Sequence, residues 1–170
     1  EWGLTFWIIF LFCALMAVLK TFGRESESRY FYYYTLYHPL ELFASKVIFN
    51  LGLLVFMFVM LWLFLSVIAG DHFQRPLWFL ATGLMACVGF SFLLTFISSI
   101  AIKTQQNASL TSVLALPLMI PILINILRLT SYALGASPDE NPWNEVMLLS
   151  SIISIVAAMS LWLFPYLWRS

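Results

Sequence analysis

Residues 42–69 read LFASKVIFNLGLLVFMFVMLWLFLSVIA, a long apolar run in which Lys46 carries the one charge. About 20 mostly apolar residues are enough for an α-helix to cross the hydrocarbon core of a bilayer. The apolar residues follow one another continuously rather than at every second position, which favours a helix over a membrane β-strand. This stretch therefore predicts a transmembrane helix and sets the class of the whole chain.

Four further apolar runs satisfy the same length rule. The sequence thus predicts an all-α, polytopic membrane protein whose 170 residues form a single transmembrane domain. Its predicted spans are, approximately, 2–22, 42–69, 77–102, 110–134 and 146–168. Tryptophans stand mostly near the ends of these spans and predict aromatic belts at the two membrane surfaces; they are Trp2, Trp7, Trp78, Trp143, Trp162 and Trp168.

The composition agrees with a membrane protein. Hydrophobic residues make up 62% of the chain and charged residues 9%, whereas soluble proteins carry roughly 25% charged residues. The net charge of zero gives no support to nucleic-acid binding. Cys13 and Cys87 both lie inside apolar runs, so we interpret them as small buried hydrophobic residues rather than a disulfide or a metal pair.

Positive charges predict the orientation of the chain, because cytoplasmic loops are enriched in Lys and Arg. One side of the membrane receives Lys20, Arg24, Arg29, Lys46, Lys103 and Arg169, and the other receives Arg75 and Arg128. The connection 20–46 and the C-terminus are therefore predicted to be cytoplasmic, and residue 1 external. An additional first span before residue 1 would give a protein of six spans with both ends inside.

The connection between the first two spans predicts a surface helix over residues 28–38. Its tyrosines recur at helical spacing on one face: Tyr30, Tyr33, Tyr34 and Tyr37. Ser28 is a suitable N-cap, and Pro39 ends the helix and suits the first turn of the next span. This amphipathic helix is interpreted either as an interfacial anchor or as a docking surface for a soluble partner.

Other candidate site residues are few. Pro117 and Pro121 lie within the fourth span and predict kinks, which serve either packing or flexing during transport. His38 and His72 fall on opposite sides of the membrane, so they cannot share a metal ion; His72 is a weak candidate for a haem ligand. No catalytic motif and no metal site is present in the sequence, so we expect no catalytic site and no directly bound cofactor.

Several stretches together resemble the CcmB family, the permease subunit of the ABC-type haem exporter of cytochrome c maturation. They are YTLYHPLELFASK at 34–46, GFSFLLTFISSIA at 89–101 and SVLALPLMIPILI at 112–124. The ending LFPYLWRS at 163–170 is similar to versions from the Bacteroidetes group. The resemblance implies a type-2 ABC exporter transmembrane domain in the inner membrane, of whose six spans this chain has five.

The resemblance also implies the partners. Residues 28–38 would be the coupling helix that docks a soluble ATPase, which binds the ATP, and its contact residues would be Arg29, Tyr30, Tyr33, Tyr34, Tyr37, His38 and Pro39. Further partners would be a haem-handling membrane subunit, a small single-span subunit and a second copy of the chain, with haem as the possible cargo. An ABC-2 permease for another lipid or small molecule, and a membrane scaffold, are the alternatives.

Overall fold

The computed structural model describes residues 2–23, 39–69, 74–103, 108–136 and 141–169. In these ranges the chain forms five α-helices: α1 (Trp2–Gly23), α2 (Pro39–Ala69), α3 (Pro76–Lys103), α4 (Ala108–Ala133) and α5 (Pro142–Arg169). The described residues contain helices and short turns and no strand. The predicted all-α fold is confirmed, and the helix bounds differ from the predicted spans by a few residues.

The helix ends follow from local sequence. Pro39, Pro76 and Pro142 each occupy the first position of a helix, where the missing N–H would have no helical partner and the fixed φ suits the helix. Gly135 ends α4 with a φ of 78°, a left-handed conformation that glycine adopts without strain. The N–H of Gly135 donates to the Tyr132 carbonyl at 3.1 Å, which satisfies part of the last turn.

Four of the described helices are long and apolar enough to cross a membrane, over Leu40–Ile68, Pro76–Ile100, Ala115–Ala133 and Pro142–Pro165. In α1 the corresponding apolar stretch, Trp2–Val18, is shorter. The chain is therefore a multi-pass membrane protein. The helix α1 itself extends over 22 residues, Trp2–Gly23.

α3 lies at the centre of the bundle and packs against α1, α2, α4 and α5. In the spanning part of α3, 61% of the residues are buried, against 11% for α2 and 11% for α5. The outer helices consequently present most of their apolar surface away from the bundle. Such surface is suited to lipid or to partner membrane proteins.

The main core contains an aromatic cluster contributed by α1, α2 and α3. Its rings are Trp2, Phe6, Trp7, Phe10, Phe58, Phe79 and Phe90. Two predictions are wrong here. Trp7 belongs to this core, not to a surface belt: it is fully buried, and its Nε1–H donates to Thr130 Oγ1 at 2.8 Å. Cys13 is exposed in a groove between α1 and α2, while Cys87 is buried as expected.

The alternating course of the helices gives the bundle two distinct ends. The Pro39 end contains the C-termini of α1, α3 and α5 and the N-termini of α2 and α4. The Arg75 end contains the opposite termini, including Trp2, Pro76 and Gly135. These two names are used below because the predicted coupling helix connects α1 to α2 at the Pro39 end.

Candidate functional site

The predicted coupling helix, 28–38, lies outside the described residues, and so do its contact residues Arg29, Tyr30, Tyr33, Tyr34, Tyr37 and His38. The haem-ligand candidate His72 also lies outside them. The structure describes the two points to which this segment is joined: α1 ends at Gly23 and α2 begins at Pro39. The contacts made by the first turns of α2 therefore define the candidate functional site.

The first turns of α2 are anchored by a small hydrophobic cluster, here called the base cluster, made of Phe43, Val47 and Phe164. The Phe43 and Phe164 rings lie 4.7 Å apart between their centroids, so the start of α2 contacts the last turns of α5. Phe92 and Phe96 of α3 pack against this cluster. A displacement of α2 at Pro39 would therefore act directly on both α3 and α5.

Next to the base cluster, α2 and α3 are joined by polar side chains, here called the polar layer: Asn50, Ser91, Thr95 and Ser98. Asn50 Nδ2 donates to Thr95 Oγ1 at 2.8 Å, and Ser91 Oγ donates to the Val47 carbonyl at 2.7 Å. Asn50 is 1% exposed and Thr95 is fully buried. These bonds tie the two helices together in an interior where water competes little for them.

The polar layer is incompletely satisfied. Within the described part of the chain, neither Asn50 Oδ1 nor Ser98 Oγ has a hydrogen-bond partner, although both atoms are buried. A buried polar atom without a partner is unfavourable by about 1–3 kcal/mol. Asn50 Oδ1 is an acceptor and the Ser98 hydroxyl is a donor, so the two unsatisfied groups are chemically complementary.

The Arg75 end is held by a different set of contacts. The Arg75 guanidinium lies 4.2 Å from the centroid of the Tyr132 ring, and the Arg75 N–H donates to the Ala133 carbonyl at 3.1 Å. Trp78 contacts both Tyr132 and Trp143 edge to face. These contacts connect the start of α3 to the end of α4 and the start of α5.

Arg128 and Glu145 form an ion pair near the same end. Arg128 Nη1 lies 3.1 Å from Glu145 Oε1, and the Arg128 side chain is 57% exposed. The pairing explains how an arginine is accommodated near the end of an apolar helix: its charge is partnered and its head reaches the surface. Arg128 therefore connects α4 to α5.

The contacts at the Pro39 end connect α2 to α3 and to α5. Among the described residues, no three His, Cys, Asp or Glu side chains are close enough to hold a metal ion together. Over the described ranges, the buried amide and hydroxyl side chains other than Ser98 bond to neighbouring helices or to their own turns. The start of α2 is thus linked to α5 by aromatic packing and to α3 by hydrogen bonds.

Comparison with known families identifies the chain. The profile described as CcmB protein matches residues 3–166, nearly the whole length. The chain belongs to the CcmB family. CcmB is the membrane permease subunit of the haem-exporting ABC system of cytochrome c maturation, a system that works with an ATPase. Neither a curated protein nor a solved structure matches the chain.

In this CcmB family member, Pro117 and Pro121 lie within α4 and are both exposed on its outer side. Asn125 Nδ2 donates to the Pro121 carbonyl at 2.8 Å and so adds a side-chain bond beside the prolines. Each proline removes one helical N–H, leaving a carbonyl four residues earlier without its usual donor. A flexing role for these prolines stays a prediction.

The residues of the polar layer were not among those predicted from the sequence to form a site. The available signal was the spacing of Ser91, Thr95 and Ser98 at i, i+4 and i+7 within an apolar helix, which places them on one face. Asn50 was the matching signal, since it is an amide in an otherwise apolar part of α2. What the sequence does not give is that the two sets face each other.

Proposed function

We propose that the chain is the non-catalytic membrane subunit of an ATP-driven complex that exports haem or releases a haem-loaded chaperone outside the cytoplasm. The family match over residues 3–166 carries this proposal. In it, residues 28–38 are the coupling helix that docks the soluble ATPase. In the sequence, residues 24–27 connect this helix to the end of α1 at Gly23, and Pro39 of α2 follows it directly. ATP-driven movement of the ATPase therefore displaces α1 and α2 at the same time.

The base cluster and the polar layer support the transmission step. Phe43 sits in the second turn of α2 and contacts Phe164, while Asn50 bonds Thr95 about two turns further on. Closely packed interiors transmit displacement rather than absorb it. A movement imposed at Pro39 therefore reaches α5 through aromatic packing and α3 through hydrogen bonding.

The proposed orientation places the Pro39 end in the cytoplasm, where the ATPase binds. Lys20, Lys46, Lys103 and Arg169 belong to helix segments at this end, whereas Arg75 and Arg128 lie toward the other; in the sequence, Arg24 and Arg29 fall between α1 and α2. This asymmetry supports the orientation through the positive-inside rule. The membrane is the bacterial inner membrane in this proposal, since haem leaves the cytoplasm across it.

The proposed assembly contains two copies of the chain together with the ATPase, a haem-handling membrane subunit and a small single-span subunit. The sparse burial of α2 and α5, at 11% of their spanning residues, supports contacts with other membrane chains. ATP is bound by the ATPase, and haem is the cargo rather than a cofactor of this chain.

Binding of the ATPase subunit tests the docking assignment. The full chain in detergent, carrying Tyr33→Ala, Tyr34→Ala and Tyr37→Ala together, is expected to lose capture of the purified ATPase subunit, because these rings would form the contact surface. Trp143→Ala is the matched control, since it removes an exposed aromatic side chain at the opposite end. Undiminished capture by the triple variant would show that the docking assignment is wrong.

A second experiment tests the cargo class. Deletion of the gene is expected to abolish c-type cytochromes, and expression of the intact chain to restore them. Normal cytochrome levels after deletion would contradict the role in haem export and would favour another transported molecule. The two experiments separate the docking step from the cargo.

A further inference from the structure

The groove between α1 and α2 lies on the outside of the bundle and has a volume of about 730 Å³. Phe10 and Cys13 of α1 form one wall, and residues of α2 from Phe56 to Val67 form the other. Nearly all of the lining surface is carbon and sulfur, and none of the described lining residues is charged. Whatever fills the groove must therefore present an uncharged, apolar face along its whole length.

The inner end of the groove lies near the middle of the membrane. Phe10 of α1 contacts Phe90, and Phe90 lies at the centre of α3, Pro76–Lys103. Cys13 is one helical turn farther toward the Pro39 end than Phe10. The groove thus begins at mid-depth and extends from there toward the Arg75 end.

The register of α2 against α3 gives the depth of the outer end. The two helices run in opposite directions, and the Phe58 ring lies against the backbone of Gly83. Leu63, five residues beyond Phe58, therefore lies level with Trp78, five residues before Gly83. Val67, at the end of the groove, lies about 6 Å farther out than Trp78, because each helical residue adds about 1.5 Å.

Trp78 marks the level of the lipid headgroups at the Arg75 end. Its ring contacts those of Tyr132 and Trp143, and Trp and Tyr side chains favour this level of a bilayer. α3 has 28 residues, a length of about 42 Å that exceeds the hydrocarbon core of about 30 Å. The last turn of α2 therefore lies outside the hydrocarbon core, at the outer edge of the headgroups.

Apolar side chains nevertheless continue to the end of α2. Val67 is 84% exposed, Ile68 is 66% exposed and Phe64 is 63% exposed. Lipid acyl chains are confined to the hydrocarbon core, so they do not cover side chains at this depth. Exposed apolar surface next to water is typical of a contact with another protein.

A second copy of the chain is poorly matched to the groove. Both copies have the same orientation in the membrane, so α4 and α5 of a second copy would bring Arg128, Asn144 and Glu145 to its outer half. α1 and α2 of a second copy would bring bulky side chains such as Phe12 and Phe56. Membrane helices approach each other closely through small residues, which the groove itself does not supply.

We propose that the groove docks one apolar transmembrane helix of another membrane chain of the complex. The docked helix presents small residues to Met60 and Phe64 and continues outward past the headgroups, where it covers Val67. Its docking face carries no charge, in keeping with the uncharged walls of the groove. This inference rests on the proposed function for the presence of such a chain.

Photo-crosslinking in the assembled complex tests the assignment. The full chain carries p-benzoylphenylalanine in place of Met60 or, separately, of Val67, and the complex is isolated through a tag on this chain after irradiation of intact cells. Both positions are expected to cross-link to one apolar segment of another chain. The two sites on that segment are expected about seven residues apart, because Met60 and Val67 are separated by two helical turns. Mass spectrometry of the digested adducts locates them.

A tryptophan within the groove provides a blocking variant. Met60→Trp is expected to lower the yield of the cross-link from position 67 about tenfold, equivalent to about 1.4 kcal/mol of docking free energy. Ile48→Trp is the matched control, since Ile48 is exposed on the same helix outside the groove, and it is expected to leave the yield unchanged. An unchanged yield with Met60→Trp would overturn the assignment.

Three further outcomes would also overturn it. Cross-links to lipid alone would mean that bilayer lipid fills the groove, and cross-links to a second copy would place a dimer interface there. Cross-links from position 60 without any from position 67 would show that the occupant does not extend past the headgroups. Loss of ATPase capture by the tyrosine variant would leave all of these cross-links unchanged, so the docking of the ATPase and the docking of this helix fail separately.

Discussion

At the Arg75 end of the bundle, aromatic rings from α1, α2 and α3 interlock around Phe6, and Arg75 covers the ring of Tyr132. At the Pro39 end, the first turns of α2 depend on Phe43, Val47 and a polar layer with two unsatisfied atoms. The first region is built to keep one arrangement, because dense packing allows no small displacement. The second has a smaller hydrophobic cluster and depends in addition on hydrogen bonds between α2 and α3.

The largest expected losses of stability come from truncating the aromatic packing. Phe6→Ala is expected to destabilise the fold by about 5 kcal/mol and Phe43→Ala by about 3 kcal/mol, the upper and lower parts of the range for buried Phe→Ala. Phe6 contacts several rings, whereas Phe43 contacts Phe164. Chemical denaturation in mixed micelles measures both values. Equal losses would show that the two ends are packed alike.

The next contrast compares two glycines on facing helices. Gly83→Ala is expected to destabilise the fold by about 2–3 kcal/mol, since the methyl would overlap the Phe58 ring. Gly52→Ala is the matched control and is expected to cause no loss. Thermal unfolding of the two variants in the same detergent gives the comparison. A tolerated Gly83→Ala would mean that Phe58 is free to leave its site.

The hydrogen bond of the polar layer is expected to contribute less. A double-mutant cycle with Asn50→Ala and Thr95→Val is expected to give a coupling energy of about 0.6–1.7 kcal/mol, the range found for hydrogen bonds between membrane helices. The bond measured is Asn50 Nδ2 to Thr95 Oγ1 at 2.8 Å. A coupling energy near zero would indicate that the two side chains do not hold α2 against α3.

The smallest expected effect concerns the Arg128–Glu145 ion pair. Because the Arg128 side chain is 57% exposed, Arg128→Gln is expected to destabilise the fold by about 0.5 kcal/mol, with a smaller effect at high salt. Glu145→Gln, alone and combined with Arg128→Gln, completes the cycle. A loss of unfolding free energy well above about 1 kcal/mol that salt does not reduce would show that this ion pair contributes substantially to the stability of the Arg75 end.

The helices themselves could be predicted because each is a long continuous apolar run, and a bilayer leaves few alternatives for such a run. Their starts were less predictable. α5 begins at Pro142, four residues before the predicted span, because Pro142 suits the first position of a helix and the polar residues Asn144 and Glu145 continue it. The length of an apolar run reflects only the thickness of the hydrocarbon core. The helix itself continues beyond that run into the membrane interface.

The candidate site was predicted in part. The sequence singles out the tyrosine-rich segment 28–38, for which docking stays a prediction, and it places Pro39 at the start of a helix, as the structure does. It misplaces Trp7 and Cys13, because an apolar run does not reveal which face of the helix turns inward. The low charge content leaves every face apolar, so the usual contrast between a polar and an apolar side is missing.

The sequence by itself determined that this protein is a bundle of membrane helices with a charge asymmetry between its ends, since length and hydropathy decide both. The tertiary structure alone decided that Phe58 lies on Gly83 and that Asn50 faces Thr95. Those pairings depend on the crossing and rotation of helices that are apolar on all sides. Small residues and buried hydroxyls, rather than hydrophobicity, select such pairings within a membrane.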